Sequence, residues 1–204
     1  MHSKRLRGYD LRQIMGSCGL VGVDEAGRGA LAGPVVAGAV LINDTFLQSD
    51  WCRRYAGRIN DSKQMTEERR EQLYERMEWL MSEHRILFTA GLGSVEEIDQ
   101  HNIVGATALA MRRAILKVLE IGHIQAQPPD PLFADPEQAD LQPGQCISDW
   151  KVLVDGRPMR NLGFKHRAVV GGDGRSLVIA MASIVAKVTR DRLMQELGET
   201  YPEY

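Results

Sequence analysis

The segment CGLVGVDEAGRGALAGPVVAGAVLI, residues 18–42, constrains the fold more than any other part of the chain. Two apolar, β-rich runs, 18–23 and 35–42, lie close together, with glycines and Pro34 breaking the chain between them. Runs of this length bounded by turn formers read as buried strands, and so near a pair predicts antiparallel neighbours. Residues 86–92, ILFTAGL, predict a third strand. Before it, Thr66 can cap a helix whose Leu73, Met77, Leu80 and Met81 share one face. After it, Ser94 and Glu97 form a capping box that opens a second helical region carrying Ala108, Met111, Ile115 and Val118 at helical spacing.

Two further strands are predicted over residues 150–156 and 167–170, each leading to an acid, Asp155 and Asp173. A last helix is expected over 176–197, where Ala180, Ala182, Ser183 and Ala186 are small enough for close packing on a sheet. Strands in succession, then helices, then a fourth strand imply hairpins followed by a crossover and a parallel pair. The fold class is therefore α/β, a mixed sheet with helices on its faces. Residues 122–148 hold five prolines and little to bury, so they read as a surface loop. With 204 residues, 44% hydrophobic and 25% charged, the chain can bury one core, and 1–204 reads as a single domain.

A net charge of −2 excludes a globally basic nucleic-acid binder, so any such partner must meet a local basic patch. Cys18, Cys52 and Cys146 lack zinc spacing and read as thiols in a reducing compartment. The basic N-terminus precedes no apolar leader, and no run of 18 apolar residues occurs. Cytoplasm is the expected location, with no membrane association.

The chemistry concentrates in acids at strand ends. Asp24 and Glu25 close the first predicted strand, Asp155 closes the fourth, and Asp173 follows the fifth. Any one of them alone is more often a turn former. Together, four converging carboxylates would raise one another's pKa unless a cation compensates. A hard divalent ion, Mg²⁺ or Mn²⁺, suits oxygen ligands without His or Cys. Two such ions roughly 4 Å apart could activate water for phosphoryl displacement. Strand alternation sends Asp24 and Glu25 to opposite faces, so both reach one site only if Gly27 and Gly29 turn the chain there.

A dinucleotide loop fails because Ala32 occupies the place of its third glycine, and no phosphate-loop motif occurs. Arg28 either pairs with a nearby acid or, between two open glycines, reads a sugar–phosphate backbone and its 2′-hydroxyl. Residues 60–64, NDSKQ, read first as a turn with a solvated lysine; the alternative is a phosphate grip by Lys63 assisted by Asn60.

The stretches GVDEAGRGALAGPVVAGAV, INDSKQMT, VLVDG, GGDGRS and ASIVAKVTRDRLM stand in the order and spacing of the type 2 ribonuclease H family, ribonuclease HII, which this chain resembles from about residue 19 to 204. The resemblance implies a ribonuclease H-like fold with a five-stranded mixed sheet flanked by helices. It implies an endonuclease that hydrolyses the RNA strand of RNA–DNA hybrids and cuts at ribonucleotides embedded in duplex DNA, leaving 5′-phosphate and 3′-hydroxyl ends. Asp24, Glu25, Asp155 and Asp173 match the family's metal-binding, catalytic carboxylates. Gly27, Arg28 and Gly29 match its ribonucleotide-contacting motif, and Asn60 and Lys63 its substrate-contacting segment. Mn²⁺ or Mg²⁺ as cofactor, roles in DNA repair and replication, and a monomeric state are expected with it. Asp191 is expected to be structural, at the end of the last helix.

Gly171 stands where the family has a lysine, which removes one phosphate contact. The family's C-terminal segment, with a tyrosine that reads the RNA-to-DNA junction, has no counterpart in this sequence, which ends YPEY. The alternative function is therefore a hybrid-binding protein with weakened or lost catalysis.

Overall fold

A computed structural model describes residues 3–59, 65–125 and 149–202. Its strands are β1 (Gly19–Ala26), β2 (Val35–Asn43), β3 (Leu87–Gly93), β4 (Trp150–Asp155) and β5 (His166–Val169). They form one sheet in the order β3-β2-β1-β4-β5. β1 pairs antiparallel with β2 and parallel with β4; β2–β3 is antiparallel and β4–β5 parallel. The mixed sheet expected from the element order is present. NDSKQ, with Asn60 and Lys63, and almost all of the Pro-rich stretch lie outside the described residues.

The helices are α1 (Ser3–Gln13), α2 (Asp44–Gln48), α3 (Asp50–Tyr55), α4 (Glu67–Ser82), α5 (Val95–Ile121) and α6 (Leu177–Thr200). The expected caps form. Thr66 Oγ1 accepts from the Arg69 amide at 3.3 Å, and Ser94 and Glu97 close their box reciprocally at 3.2 and 2.9 Å. α5 is kinked at Asn102, whose φ of 58° and ψ of 172° are not helical. The Asn102 side chain accepts from the Val104 amide at 2.9 Å and so restarts the helix beyond the kink.

Pleating divides the core into two layers. Leu20, Val40, Ile42, Leu153 and Val169 pack beneath α6, joined by residues of α1 to α4. Val21, Val23, Ala37, Ala39, Val152 and Val154 pack against α5. Glycines set the helix-to-sheet spacing on both faces. A Cβ on Gly38 would lie 2.2 Å from the Ala182 carbonyl oxygen of α6, and one on Gly91 the same distance from that of Ala110 in α5. Among the described residues no helix is long and apolar enough to cross a membrane.

The structure changes three readings. β1 does not end at its acids: Asp24, Glu25 and Ala26 pair with Gly38, Ala37 and Val36, because β2 is long enough to carry the ladder onward. α6 begins after its cap Ser176 and runs to Thr200, so Asp191 lies within the helix rather than at its end. There it pairs with Lys187 and with Arg70 of α4. α1 was hidden because its basic, mostly polar sequence shows no apolar run, although Leu6 is fully buried.

Gly38→Ala should lower stability by about 1–3 kcal/mol, the usual cost of overpacking, since the obstructing atom is backbone. Urea unfolding of the purified variant checks this, and an unchanged midpoint would refute the close-approach account.

Candidate active site

Pleat and register decide which acids meet. In β1, Leu20 and Gly22 face α6 while Val21 and Val23 face α5, so Asp24 falls on the α6 face. In β4, Leu153 faces α6 and its neighbours face α5, so Asp155 falls on the same face. Val23 is in register with Val154 across the parallel pair. Asp24 and Asp155 therefore occupy the next positions on adjacent strands, about 4.8 Å apart in backbone spacing.

Asp24 is 2% exposed. Its Oδ1 accepts from the Glu25 amide at 2.8 Å, while Oδ2 is buried without a hydrogen-bond partner. Burial above all, then the charges of Asp155 and Glu25, hold its carboxyl well above the usual carboxylate range; the Ser183 hydroxyl and the Glu25 amide pull it down. A buried oxygen left unsatisfied beside a second carboxylate is costly as it stands. A hard cation would satisfy the oxygen and relieve the repulsion together, so these donors fit a divalent metal.

Asp155 Oδ1 accepts from the Gly172 amide at 2.5 Å. Gly172 opens a 3₁₀ turn (Gly172–Gly174) entered through Gly171 at φ 63°. A Cβ on Gly172 would stand 2.6 Å from Ile179 and 3.0 Å from Asp155 Oδ1, so only glycine brings this amide so near the carboxylate. Asp173, within the turn, is 7% exposed and accepts from the Gly174 amide at 2.9 Å.

Glu25 sits on the opposite pleat from Asp24, since the turn at Gly27, φ 96°, comes only after Ala26. Its charge still acts on Asp24, and its carboxylate also pairs with Arg28 at 3.2 Å. Among the described residues no three Asp, Glu, His or Cys side chains gather closely enough to hold an ion. Of the four predicted carboxylates, Asp24 and Asp155 stand side by side, Glu25 lies near enough for its charge to act on Asp24, and Asp173 is set in the adjoining turn.

A cavity of about 340 Å³ is bounded by residues 25–29 on one side and by Ser183 and Lys187 of α6 on the other. Gly27 and Gly29 differ in kind. A Cβ on Gly27 would strike Arg190 and the Pro34 carbonyl, whereas Gly29 has open space before it. Arg190 pins the loop by donating to the Pro34 and Ala32 carbonyls at 3.1 and 2.8 Å. Ser183, Lys187 and Arg190 were not expected in the site. Their signal is a polar stripe at i, i+4 and i+7 that begins within the apolar first half of the helix.

The strand order, helices on both faces and acids side by side on the central parallel pair define a ribonuclease H-like fold. The family model for ribonuclease HII matches residues 21–129 and 132–204. Ribonuclease HII of Fusobacterium nucleatum is 41% identical over 186 residues, covering 91% of this chain and 70% of that protein. Among solved structures, the ribonuclease H2 from Pyrococcus horikoshii OT3 superposes with a TM-score of 0.60 at 26% identity, covering 90% of this chain and 77% of the other. Bst-RNase HIII, solved in complex with Mn²⁺, shares the fold with a TM-score of 0.62 at 17% identity, covering 94% of this chain and 57% of its own. The chain belongs to the ribonuclease HII family, and its activity is that of a ribonuclease H endonuclease.

Because the folded Asp24 pKa is raised, the folded protein keeps a proton that the unfolded chain loses above its ordinary 3.8. That contribution to stability is present at low pH and is lost as pH rises through the folded value. In divalent-free buffer, Asp24→Asn should therefore melt above wild type at pH 8, by about 2–4 °C for each kcal/mol relieved. The gap should narrow towards pH 5. Thermal scans of both proteins check it, and a gap independent of pH would contradict the burial of this charge.

Proposed function

We propose that the chain hydrolyses the RNA strand of RNA–DNA hybrids and cuts at ribonucleotides embedded in duplex DNA, leaving 5′-phosphate and 3′-hydroxyl ends. The observation that carries this reading is the unsatisfied Asp24 Oδ2, placed beside Asp155 and next to a cavity edged by Arg28 and Lys187. Asp24 and Asp155 would hold Mn²⁺ or Mg²⁺, with Asp173 and Glu25 completing the oxygen ligands of a two-ion site. When bound, such ions lower the pKa of water and neutralise charge on a phosphodiester.

The chain's own residues then bind and orient. Gly29 leaves its backbone open to a ribose, and Arg28 offers a planar fork to a phosphate or 2′-hydroxyl. The Arg28–Glu25 pair is partly exposed and worth no more than about 1 kcal/mol, so substrate can displace it at little cost. Lys187 adds a positive wall to the cavity in a chain with a net charge of −2. Gly27 lets the loop lie against Arg190. Asn60 and Lys63 are assigned to substrate contact on the family resemblance. The protein is taken to act as a cytoplasmic monomer in DNA repair and replication.

The test is cleavage, in Mn²⁺, of a labelled RNA–DNA hybrid and of a DNA duplex with one embedded ribonucleotide. Asp24→Asn and Asp155→Asn should each lower the rate by about 10³-fold, equivalent to roughly 4 kcal/mol of transition-state stabilisation. Full activity in both would defeat the assignment. Arg28→Ala should retain cleavage of the hybrid yet lose about tenfold at the single ribonucleotide, consistent with one lost charged contact.

A further inference from the structure

Asp10 is a carboxylate with no exposed surface, carried by α1 and remote in sequence from every acid discussed so far. Its Oδ1 accepts from the Ser176 hydroxyl at 2.7 Å, and its Oδ2 from the Val178 amide at 2.8 Å. Both donors belong to the N-terminus of α6, where unsatisfied amides favour a negative group. Ser176 in turn donates its amide to the Gly172 carbonyl at 2.7 Å. The Gly172 amide donates to Asp155 Oδ1. An unbroken chain of hydrogen bonds thus runs from α1, through the cap of α6 and the Asp173 turn, to the carboxylate of Asp155.

α1 is itself anchored to the strands on that side of the sheet. Lys151 of β4 donates to the Gln13 and Met15 carbonyls at 2.8 and 2.7 Å, and Arg167 of β5 to the Gln13 side chain at 3.0 Å. On its other flank Arg7 donates to the Leu47 carbonyl at 2.6 Å. Burial pushes the Asp10 carboxyl up to about 7 against the pull of the Ser176 hydroxyl and the Val178 and Leu177 amides. Were Asp10 only a packing residue, an apolar side chain would fill the place without that cost.

We infer that Asp10 is a positioning residue: through Ser176 and Gly172 it fixes the orientation of Asp155 and of the Asp173 turn for divalent-ion binding. The inference rests on the metal site of the proposed function. It makes the N-terminal helix, which carries none of the proposed metal ligands, part of what sets metal affinity. Groups that orient metal ligands in this way typically change affinity by about 10–100-fold when altered.

Asp10→Asn keeps the shape but loses the charge and one acceptor; Ser176→Ala breaks the next link while sparing Asp10. Ile115→Val, a core truncation in α5 on the opposite face, controls for lost stability alone. Each protein is first shown to be folded by circular dichroism, and Mn²⁺ binding is then measured by titration calorimetry. Amide exchange at Gly172 is followed in divalent-free buffer.

Asp10→Asn and Ser176→Ala should bind Mn²⁺ about 10–100-fold more weakly and exchange faster at Gly172, while Ile115→Val binds like wild type. Wild-type affinity in both variants, or equal weakening in Ile115→Val, would overturn the positioning role and leave the proposed function standing. A wild type that bound no Mn²⁺ would overturn both.

Discussion

Helix α6 lies against the sheet so closely that one methyl group at Gly22 or Gly38 would strike its backbone, and the rest of the site depends on that approach. A Cβ on Gly22 would lie 2.5 Å from the Val178 backbone, and one on Gly38 2.2 Å from the Ala182 carbonyl oxygen. Between them on the same face sits Asp24, opposite Gly38 in the register. The helix roofs this acid, removes it from water and brings Ser183 and Lys187 to the cavity edge. A helix held further off by side chains would leave Asp24 solvated, with an ordinary pKa and nothing unsatisfied.

The same helix links parts of the site that are far apart in the chain. Its first turn receives Asp10 from α1. Its middle covers Asp24, and Arg190 further along holds the glycine loop by two carbonyls. Asp191, beside it, ties α4 to the bundle through Arg70. One element therefore connects the acids that would bind metal with the loop that would meet the ribose. Positioning in a site of this kind comes from hydrogen bonds behind the ligands as much as from the ligands.

Much of this was legible from residue order. The two apolar runs around VDEAGRG announced β1 and β2, and Ser94 with Glu97 announced the start of α5, because periodicity and capping are local properties. Asp24 and Asp155 were identifiable as acids of two strands. Glu25 shows the limit. That it stays on the opposite pleat from Asp24, where it pairs with Arg28, depends on β1 continuing to Ala26, and hence on the length of β2. Ser183 was readable as a small packing residue, which it is, but its place beside Asp24 needed the helix to be docked.

What the sequence determined by itself was the alphabet of the site: strand, acids, glycine, arginine, each dictated by local propensity and motif. Only the tertiary structure decided which of these residues meet. The pairing of Asp24 with Asp155 comes from a parallel register between strands more than a hundred residues apart in the chain. The burial of Asp10 comes from a helix whose polar sequence gives no sign of it. Long-range register and the desolvation of a charge depend on what packs from elsewhere in the chain, and no local pattern encodes that neighbour.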